Sequence, residues 1–372
     1  MLDVEVGSVD EDSSNIPFFC IREYSPAAEE IWRIDLSPAE GYAAWDRGAG
    51  EVVFLDTQLH DSKLRPDVLA VYAGGKATNV ARVLGELVSA PASRTAPRCE
   101  VRLETFLPAA AGNPVLEPTP GGGYVEQLLR DLKGVRSTIR LIEVREPLRK
   151  DRRAIQIVSA EGGELLNLTP RLSWSVREAA QALESTLRPC GARVAVLAGS
   201  PPLGAEDLYA RVIRGLRARP TPLIISVDTS GAALASILAD PAAHPDVICI
   251  NAREYEAQVV AEWAGFGGTI LVHDRDGCWC ATGIAIGTDN ARVRVDVAAL
   301  DDLFGPACGP TLGAGDAAHA GFLYGHLLLG LPLKESAVLS MAAAAGVIRS
   351  PIGLTSFRGG SADRYASALA KE

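Results

Sequence analysis

From Val101 onward, short runs that are apolar at every position alternate with longer stretches whose apolar residues recur at helical spacing. A strand with no polar face must be covered on both sides, so this alternation predicts a parallel sheet with helices packed on each face. Strands are predicted over 101–107, 139–144, 194–197, 223–227, 247–250 and 269–273, and helices over 125–132, 175–187, 206–218, 253–263, 315–329 and 333–348. A further strand is expected over 16–22, ending before Ser25-Pro26, where proline stops pairing. In such sheets ligands lie beyond the strand C-termini, so the loops that follow the strands are where chemistry is sought.

One interval breaks the rhythm. Ile155 and Ile157, then Leu166 and Leu168, alternate with polar residues around the turn Glu161-Gly162-Gly163, the pattern of a β-hairpin. Short strands over 52–55 and 68–72, with Glu29, Glu30 and Arg33 placed in a turn before them, are equally foreign to a doubly wound sheet. These segments, around 33–73 and 150–170, are expected to pair into a small separate sheet that acts as a lid. Residues 1–15 are acidic and serine-rich without periodicity, the composition of a disordered tail, leaving 16–372 as one domain.

Net charge separates the partner classes. With 46 acidic against 36 basic side chains the formal charge is -10, which disfavours a nucleic-acid partner and requires any anionic substrate to meet a local basic pocket. No apolar run reaches the roughly 18 residues of a membrane span, and MLDVEVGSVDEDSS is acidic where a secretory signal would be basic, so the expected location is cytoplasmic. The seven cysteines are scattered with no CxxC pair or His cluster, which reads as buried free thiols.

Several stretches carry chemistry. In PTLGAGDAAHAGFLYG, Gly313, Ala314 and Gly315 precede an Ala-rich helical run. Unpaired amides at a helix N-terminus suit a phosphate, and Asp316 beside them suits proton acceptance from a hydroxyl. An ordinary glycine turn with an acid in the first turn has the same local pattern. In AGGKATNVARVL, Gly74-Gly75 forms a turn before a helix beginning near Thr78, and Lys76 and Asn79 at its edge could hold a phosphate and a hydroxyl; a solvated lysine near a cap is the plainer alternative. Gly199 and Ser200 in AGSPPL follow one strand, Asp228 in SVDTSG ends the next, and Asn251 and Glu254 in NAREYE end the one after. An amide oxygen and a carboxylate three residues apart suit Mg²⁺ through water, or simply cap a helix. His273 and His319 have no second histidine at ligand spacing and read as structural.

Together, GGKATNVARVL, AGSPPLG, DTSG, NAREYE and PTLGAGDAAHAGFLYG occur in the order and approximate spacing of the PfkB carbohydrate kinases, the ribokinase family, which the chain resembles from about residue 16 to 355. GGK with NVARVL, and DTSG, are most similar to the branch of 1-phosphofructokinase and tagatose-6-phosphate kinase. The resemblance implies a three-layer α/β/α, Rossmann-like domain with a small β lid, and ATP-dependent phosphoryl transfer to a hydroxyl of a sugar phosphate. It gives Asp316 as catalytic base and Gly313, Ala314 and Gly315 as anion hole. Asn251 and Glu254 would organise Mg²⁺. Lys76, with Arg152 or Arg153, would grip the substrate phosphate, while Glu29, Gly74, Gly75, Asn79 and Ser200 line the sugar site. Asp228, Gly277 and Thr311, with Gly313 and Gly315, would hold the nucleotide.

The chain departs from the pattern in places. SPAAEE puts Glu29 where the family has a sugar-binding Asp, and a second frame on SPAEGY puts Gly41 there. GGKG becomes GGKA with Ala77, the lysine of K-P-N-x-x-E becomes Cys249, and the nucleotide loop DRDG keeps only Gly277. Two other functions therefore stand beside the sugar-phosphate kinase: a catalytically impaired sugar-phosphate or nucleotide sensor on the same scaffold, and a kinase of an unphosphorylated sugar or nucleoside. A homodimer paired through the lid is the expected assembly.

Overall fold

The apolar runs lie side by side. The computed structural model describes residues 18–23, 27–34, 43–46, 51–54, 67–90, 99–108, 137–144, 153–159, 164–168, 173–187, 192–256, 263, 265–274, 277–282, 291–294, 301, 311–350, 354 and 357–369. Its strands are β1 (Phe18–Glu23), β2 (Ala27–Ile34), β3 (Ala43–Asp46), β4 (Glu51–Phe54), β5 (Asp67–Gly74), β6 (Glu100–Pro108), β7 (Ser137–Val144), β8 (Arg153–Ser159), β9 (Glu164–Leu168), β10 (Val194–Ala198), β11 (Ile224–Asp228), β12 (Val247–Asn251), β13 (Thr269–Asp274), β14 (Gly277–Thr282) and β15 (Ala291–Arg294). Its helices are α1 (Lys76–Ser89), α2 (Val176–Thr186), α3 (Leu208–Arg217), α4 (Gly231–Leu238), α5 (Ala252–Glu256), α6 (Ala314–Leu323), α7 (Leu333–Ile348) and α8 (Gly359–Leu369).

The main sheet runs β15-β14-β13-β12-β11-β10-β1-β6-β7. All its pairs are parallel except β13–β14 and β14–β15 at one edge. The chain travels outward from β1 through β6 to β7, then returns to β10 on the other side of β1, so the order reverses between β1 and β10. That reversal opens a crevice at the C-terminal edge, where α/β sheets bind ligands.

Alternate residues of each strand serve opposite faces. Phe19, Ile21, Val101, Leu103, Val194 and Val196 pack on one side with α1, α6, α7 and α8, burying Val80, Leu84, Leu323, Val347 and Ala362. Cys20, Ala195, Leu197, Ile225 and Val227 pack on the other with α2 and α3. Each large aliphatic side chain so enclosed contributes roughly 1.5–3 kcal/mol, which is why two-sided apolar strands settle here. One charged pair crosses this interior: Arg22 and Glu104 are directly opposite on β1 and β6, bonded Nε to Oε2 at 3.0 Å, and only 1% and 2% exposed.

Helix ends follow local chemistry. Ser175 accepts from the Glu178 amide at 3.3 Å while Glu178 Oε2 accepts from the Ser175 amide at 2.6 Å, a reciprocal cap that starts α2 where the spacing predicts. The helix expected over 315–329 starts at Ala314 and gives way at Tyr324–Leu328 to a π-helical turn. Helices α4 and α8 and the antiparallel edge β14–β15 are found in addition to those the sequence predicts.

The four-stranded sheet stands apart, in the order β5-β2-β8-β9. Ile155 is paired with Leu168 and Ile157 with Leu166, as the alternation predicts. Glu29, Glu30 and Arg33 lie in strand β2 rather than in a turn, antiparallel to β5 and parallel to β8. The expected tail over 1–15, the helix over 125–132, Arg152, Cys190 and Cys308 lie outside the described residues. Cys20, Cys249, Cys278 and Cys280 are buried free thiols, and Cys99 is half-buried. Among the described residues no helix is long and apolar enough to cross a membrane.

Candidate active site

Two helix N-termini converge on the crevice. At the first, Gly75 holds φ at +111°, open to glycine alone, and its carbonyl accepts from the Asn79 amide at 2.9 Å. That bend turns β5 directly into α1 and brings Lys76 and Asn79 to the sheet edge. At the second, Gly313 holds φ at +79°, and a Cβ there would run into Leu354 Cδ1. The Ala314 amide turns back to the Thr311 carbonyl at 3.1 Å, and the Ala317 amide starts the helical ladder on Gly313 at 2.9 Å. Ala314 is thus committed within the turn, while the Gly315 amide has no acceptor among the described residues. The ring of His273 lies where a Cβ on Gly315 would be, with Cε1 at 2.9 Å from that position.

A hydrogen bond joins the two termini. Asn79 Nδ2 donates to Asp316 Oδ2 at 2.8 Å, with Asn79 1% and Asp316 7% exposed. The other side-chain atom of Asn79, Oδ1, is buried and has no donor among the described residues. A buried acceptor without a donor costs about 1–3 kcal/mol, so it is a place where a ligand hydroxyl or amine would be welcome.

Lys76 reaches across to the strand ends. Its Nζ lies 2.6 Å from Asp228 Oδ1 and 3.9 Å from Glu254 Oε1, with about a third of the side chain (36%) still exposed. Burial pulls the ammonium toward deprotonation, but Asp228, Glu254 and Asp316 outweigh it and hold its pKa well above the usual lysine range. Burial likewise opposes ionisation of Asp228, and Lys76 beside it wins, keeping that carboxyl below the usual range. Behind Asp228 sits His319, whose Nε2 is 2.7 Å from Ser226 Oγ and whose pKa burial pushes down to about 4. Asn251 and Glu254 cap α5 reciprocally: the Glu254 amide donates to Asn251 Oδ1 at 2.9 Å and the Asn251 amide to Glu254 Oε2 at 3.0 Å. Only Glu254 Oε1 then turns toward Lys76.

The remaining predicted residues lie on other elements. Gly199, at φ +96°, donates its amide to the Asp228 carbonyl at 2.9 Å, placing the exposed Ser200 at the same edge. Thr311 is exposed at the start of the second turn, and Gly277, at φ +142°, opens β14 opposite Asp274. In the separate sheet Glu29 pairs with Tyr72 and Ala154, Arg153 opens β8 opposite Ala28, and Gly74 ends β5 opposite Ala27. Sequence reasoning sets aside His273 and His319, yet one packs on the Gly315 turn and the other backs Asp228. Their signal is position rather than spacing, since His273 ends a strand at the ligand edge and His319 lies one turn beyond Asp316.

The architecture is the ribokinase-like α/β fold. No protein-family model matches the chain, and no curated protein matches it by sequence. Solved structures do: phosphofructokinase-2 from Escherichia coli, in complex with substrates and products, has a TM-score of 0.65 at 16% identity, covering 95% of this chain and 99% of its own. A possible 1-phosphofructokinase from Thermotoga maritima has a TM-score of 0.61 at 17% identity over 94% and 98%. The nucleoside kinase of Methanocaldococcus jannaschii, an archaeal member of the ribokinase family, has a TM-score of 0.57 at 14% identity over 96% and 99%.

Proposed function

We propose that the chain is an ATP-dependent kinase that phosphorylates a hydroxyl of a sugar phosphate. The observation that carries this reading is the Asn79–Asp316 bond at 2.8 Å, which sets a nearly buried carboxylate between two glycine-initiated helix N-termini. Structures of the same fold support the class: Escherichia coli phosphofructokinase-2 forms a complex with fructose 6-phosphate.

Asp316 accepts the proton of the attacking hydroxyl, with Asn79 fixing its carboxylate plane through Oδ2. Asn79 Oδ1, without a donor among the described residues, accepts from a neighbouring sugar hydroxyl. The Gly315 amide and the positive end of α6 stabilise charge on the transferring group, and Gly313 provides the turn that exposes them. Lys76 grips the substrate phosphate; an ammonium has three donors, so it keeps Asp228 and still meets a phosphate oxygen. Arg153, at the start of β8, would add charge to that grip together with its chain neighbour Arg152, and Glu29 in β2 would meet the sugar. Asp228, Gly277 and Thr311 bound the nucleotide side.

ATP would supply the phosphoryl group, and a bound Mg²⁺ would supply charge neutralisation at it. The donors fit a hydrated ion in part: Glu254 Oε1 faces the crevice and would hold it through water, while Asn251 Oδ1 is already engaged by the Glu254 amide and serves by orienting that carboxylate. Two copies pairing along the edges of the second sheet would give the dimer.

An ADP-release screen against fructose 1-phosphate, fructose 6-phosphate, tagatose 6-phosphate and unphosphorylated sugars tests the reading. Turnover on a sugar phosphate is expected, with Asp316→Asn lowering kcat roughly 10²- to 10⁴-fold and leaving nucleotide affinity unchanged. Binding without turnover on every sugar would favour a sensor, a reading supported by the Lys76–Asp228 pair, which occupies the cation. Turnover on free sugars or nucleosides alone would replace the substrate class.

A further inference from the structure

Around Asp228, the counterion of Lys76, lies a cluster whose other two members, Cys249 and His319, have no part in the proposed phosphoryl transfer. One oxygen of Asp228, the thiol of Cys249 and one ring nitrogen of His319 lie within 4.8 Å of one another, and the three residues are 2%, 0% and 0% exposed. They come from β11, β12 and α6, so three separate elements deliver one donor each.

His319 gives the cluster direction. Its Nε2 is taken by Ser226 Oγ at 2.7 Å. Its Nδ1 is sealed from solvent and has no hydrogen-bond partner among the described residues, 3.8 Å from Asp228 Oδ2. That separation is too long for a hydrogen bond in either tautomer. With the proton on Nε2 and donated to Ser226, two electron-rich atoms face each other in a dry interior, an arrangement that a cation between them relieves. The oxygens of Asp228 divide the work, since Lys76 uses Oδ1 and leaves Oδ2 toward the histidine.

We infer that Asp228 Oδ2, Cys249 Sγ and His319 Nδ1 form a site for one thiophilic divalent cation of the Zn²⁺ type, independent of the kinase reading and distinct from the hydrated Mg²⁺ at Glu254. A thiolate and an imidazole beside one carboxylate select Zn²⁺ or Co²⁺ over Mg²⁺ or Ca²⁺. Metal–ligand bonds of about 2.0–2.3 Å give tetrahedral edges of roughly 3.3–3.8 Å, so donors within 4.8 Å of one another must draw together by up to roughly 1.5 Å. Charge closes as well. On binding, the Cys249 thiol releases its proton to solvent, and thiolate and carboxylate together balance the ion. Lys76 is left to Glu254, already 3.9 Å away. Burial keeps the Cys249 thiol protonated until a metal arrives. Ser226 fixes the ring by the second nitrogen, as outer partners of ligating histidines do.

The test uses the full chain, stripped with a chelator and titrated with Co²⁺ and then Zn²⁺, reading bound metal by mass spectrometry and the thiolate-to-cobalt charge-transfer absorption. Wild type is expected to take up about one equivalent with that absorption, displaced by Zn²⁺. Cys249→Ser should abolish the absorption, Ser226→Ala should weaken binding roughly 10- to 100-fold, and Cys278→Ser and Cys280→Ser should change neither. Absorption that survives in folded Cys249→Ser, or no stoichiometric uptake by wild type, overturns the site. Should Cys249→Ser fail to fold, X-ray absorption of the wild-type Zn²⁺ form decides: a single sulfur among nitrogen and oxygen neighbours supports it, and none or several overturns it.

Discussion

Gly313 carries two independent demands. Its φ of +79° excludes side chains by backbone sterics, and Leu354 fills the space a Cβ would need. Gly313→Ala should therefore lower stability by about 2 kcal/mol or more, read as a fall in the denaturant midpoint at unchanged m-value. An unshifted midpoint would mean that the turn relaxes freely. Gly313, Asp316, Lys76 and Asn79 are legible in the sequence because glycine turns before amphipathic helices mark where polar groups gather. What the spacing does not reveal is who meets whom. That Asn79 bonds Asp316, 237 positions away, or that Lys76 lies on Asp228, depends on the order in which strands enter the sheet. The same holds for the split role of Asn251 and Glu254, where metal and cap readings share one sequence pattern and the structure shows the cap bonds formed.

Strands β1 and β6 are held across their shared register by Arg22 and Glu104 as well as by apolar contacts. Removing only the carboxylate with Glu104→Ala strands a guanidinium in the core and should cost about 3–5 kcal/mol, whereas Arg22→Met with Glu104→Leu should cost much less. Chemical denaturation of both variants distinguishes these outcomes, and equal losses would show that the pair itself, rather than the stranded charge, dominates. Helices α6 and α7 touch at Gly321, where a Cβ would come within 2.5 Å of the Leu339 carbonyl oxygen. Gly321→Val should therefore push them apart and lower the melting temperature by several degrees, and an unchanged melt would contradict that contact. Elements of uniform apolarity or strong period are legible to within a residue or two, as β10, β13 and α7 show. Strand β2 escapes because Ala27-Ala28-Glu29-Glu30 has little strand preference of its own and owes its conformation to β5 and β8 on either side. Helix α8 escapes because it opens on Gly359-Gly360.

Across the whole molecule, four of the five described cysteines, Cys20, Cys249, Cys278 and Cys280, are buried. Burial pushes the Cys278 thiol up to about 12, so at pH 8 it stays protonated and unreactive. Native protein exposed to an alkylating reagent at pH 8 should keep Cys20, Cys249, Cys278 and Cys280 unmodified, and all four should label once denaturant unfolds the chain. Peptide mass mapping reads this directly, and rapid native labelling of Cys278 would show that the β14 side of the core opens. The layered sheet is legible because two-sided apolar strands admit few arrangements. The composition of the second sheet is less so, since its strands come from chain stretches separated by β6 and β7 and only the β8–β9 hairpin is local.

Strand β5 passes into α1 with Gly75 as the sole link, so the second sheet and the helix that bears Lys76 share one joint. Mechanically this is a crank: any tilt of that sheet about Gly75 would swing the Lys76 ammonium relative to Asp228, and any pull on the ammonium would turn the sheet. Position of the ammonium and tilt of that sheet would thereby be geared through a single peptide unit, without a path through the core.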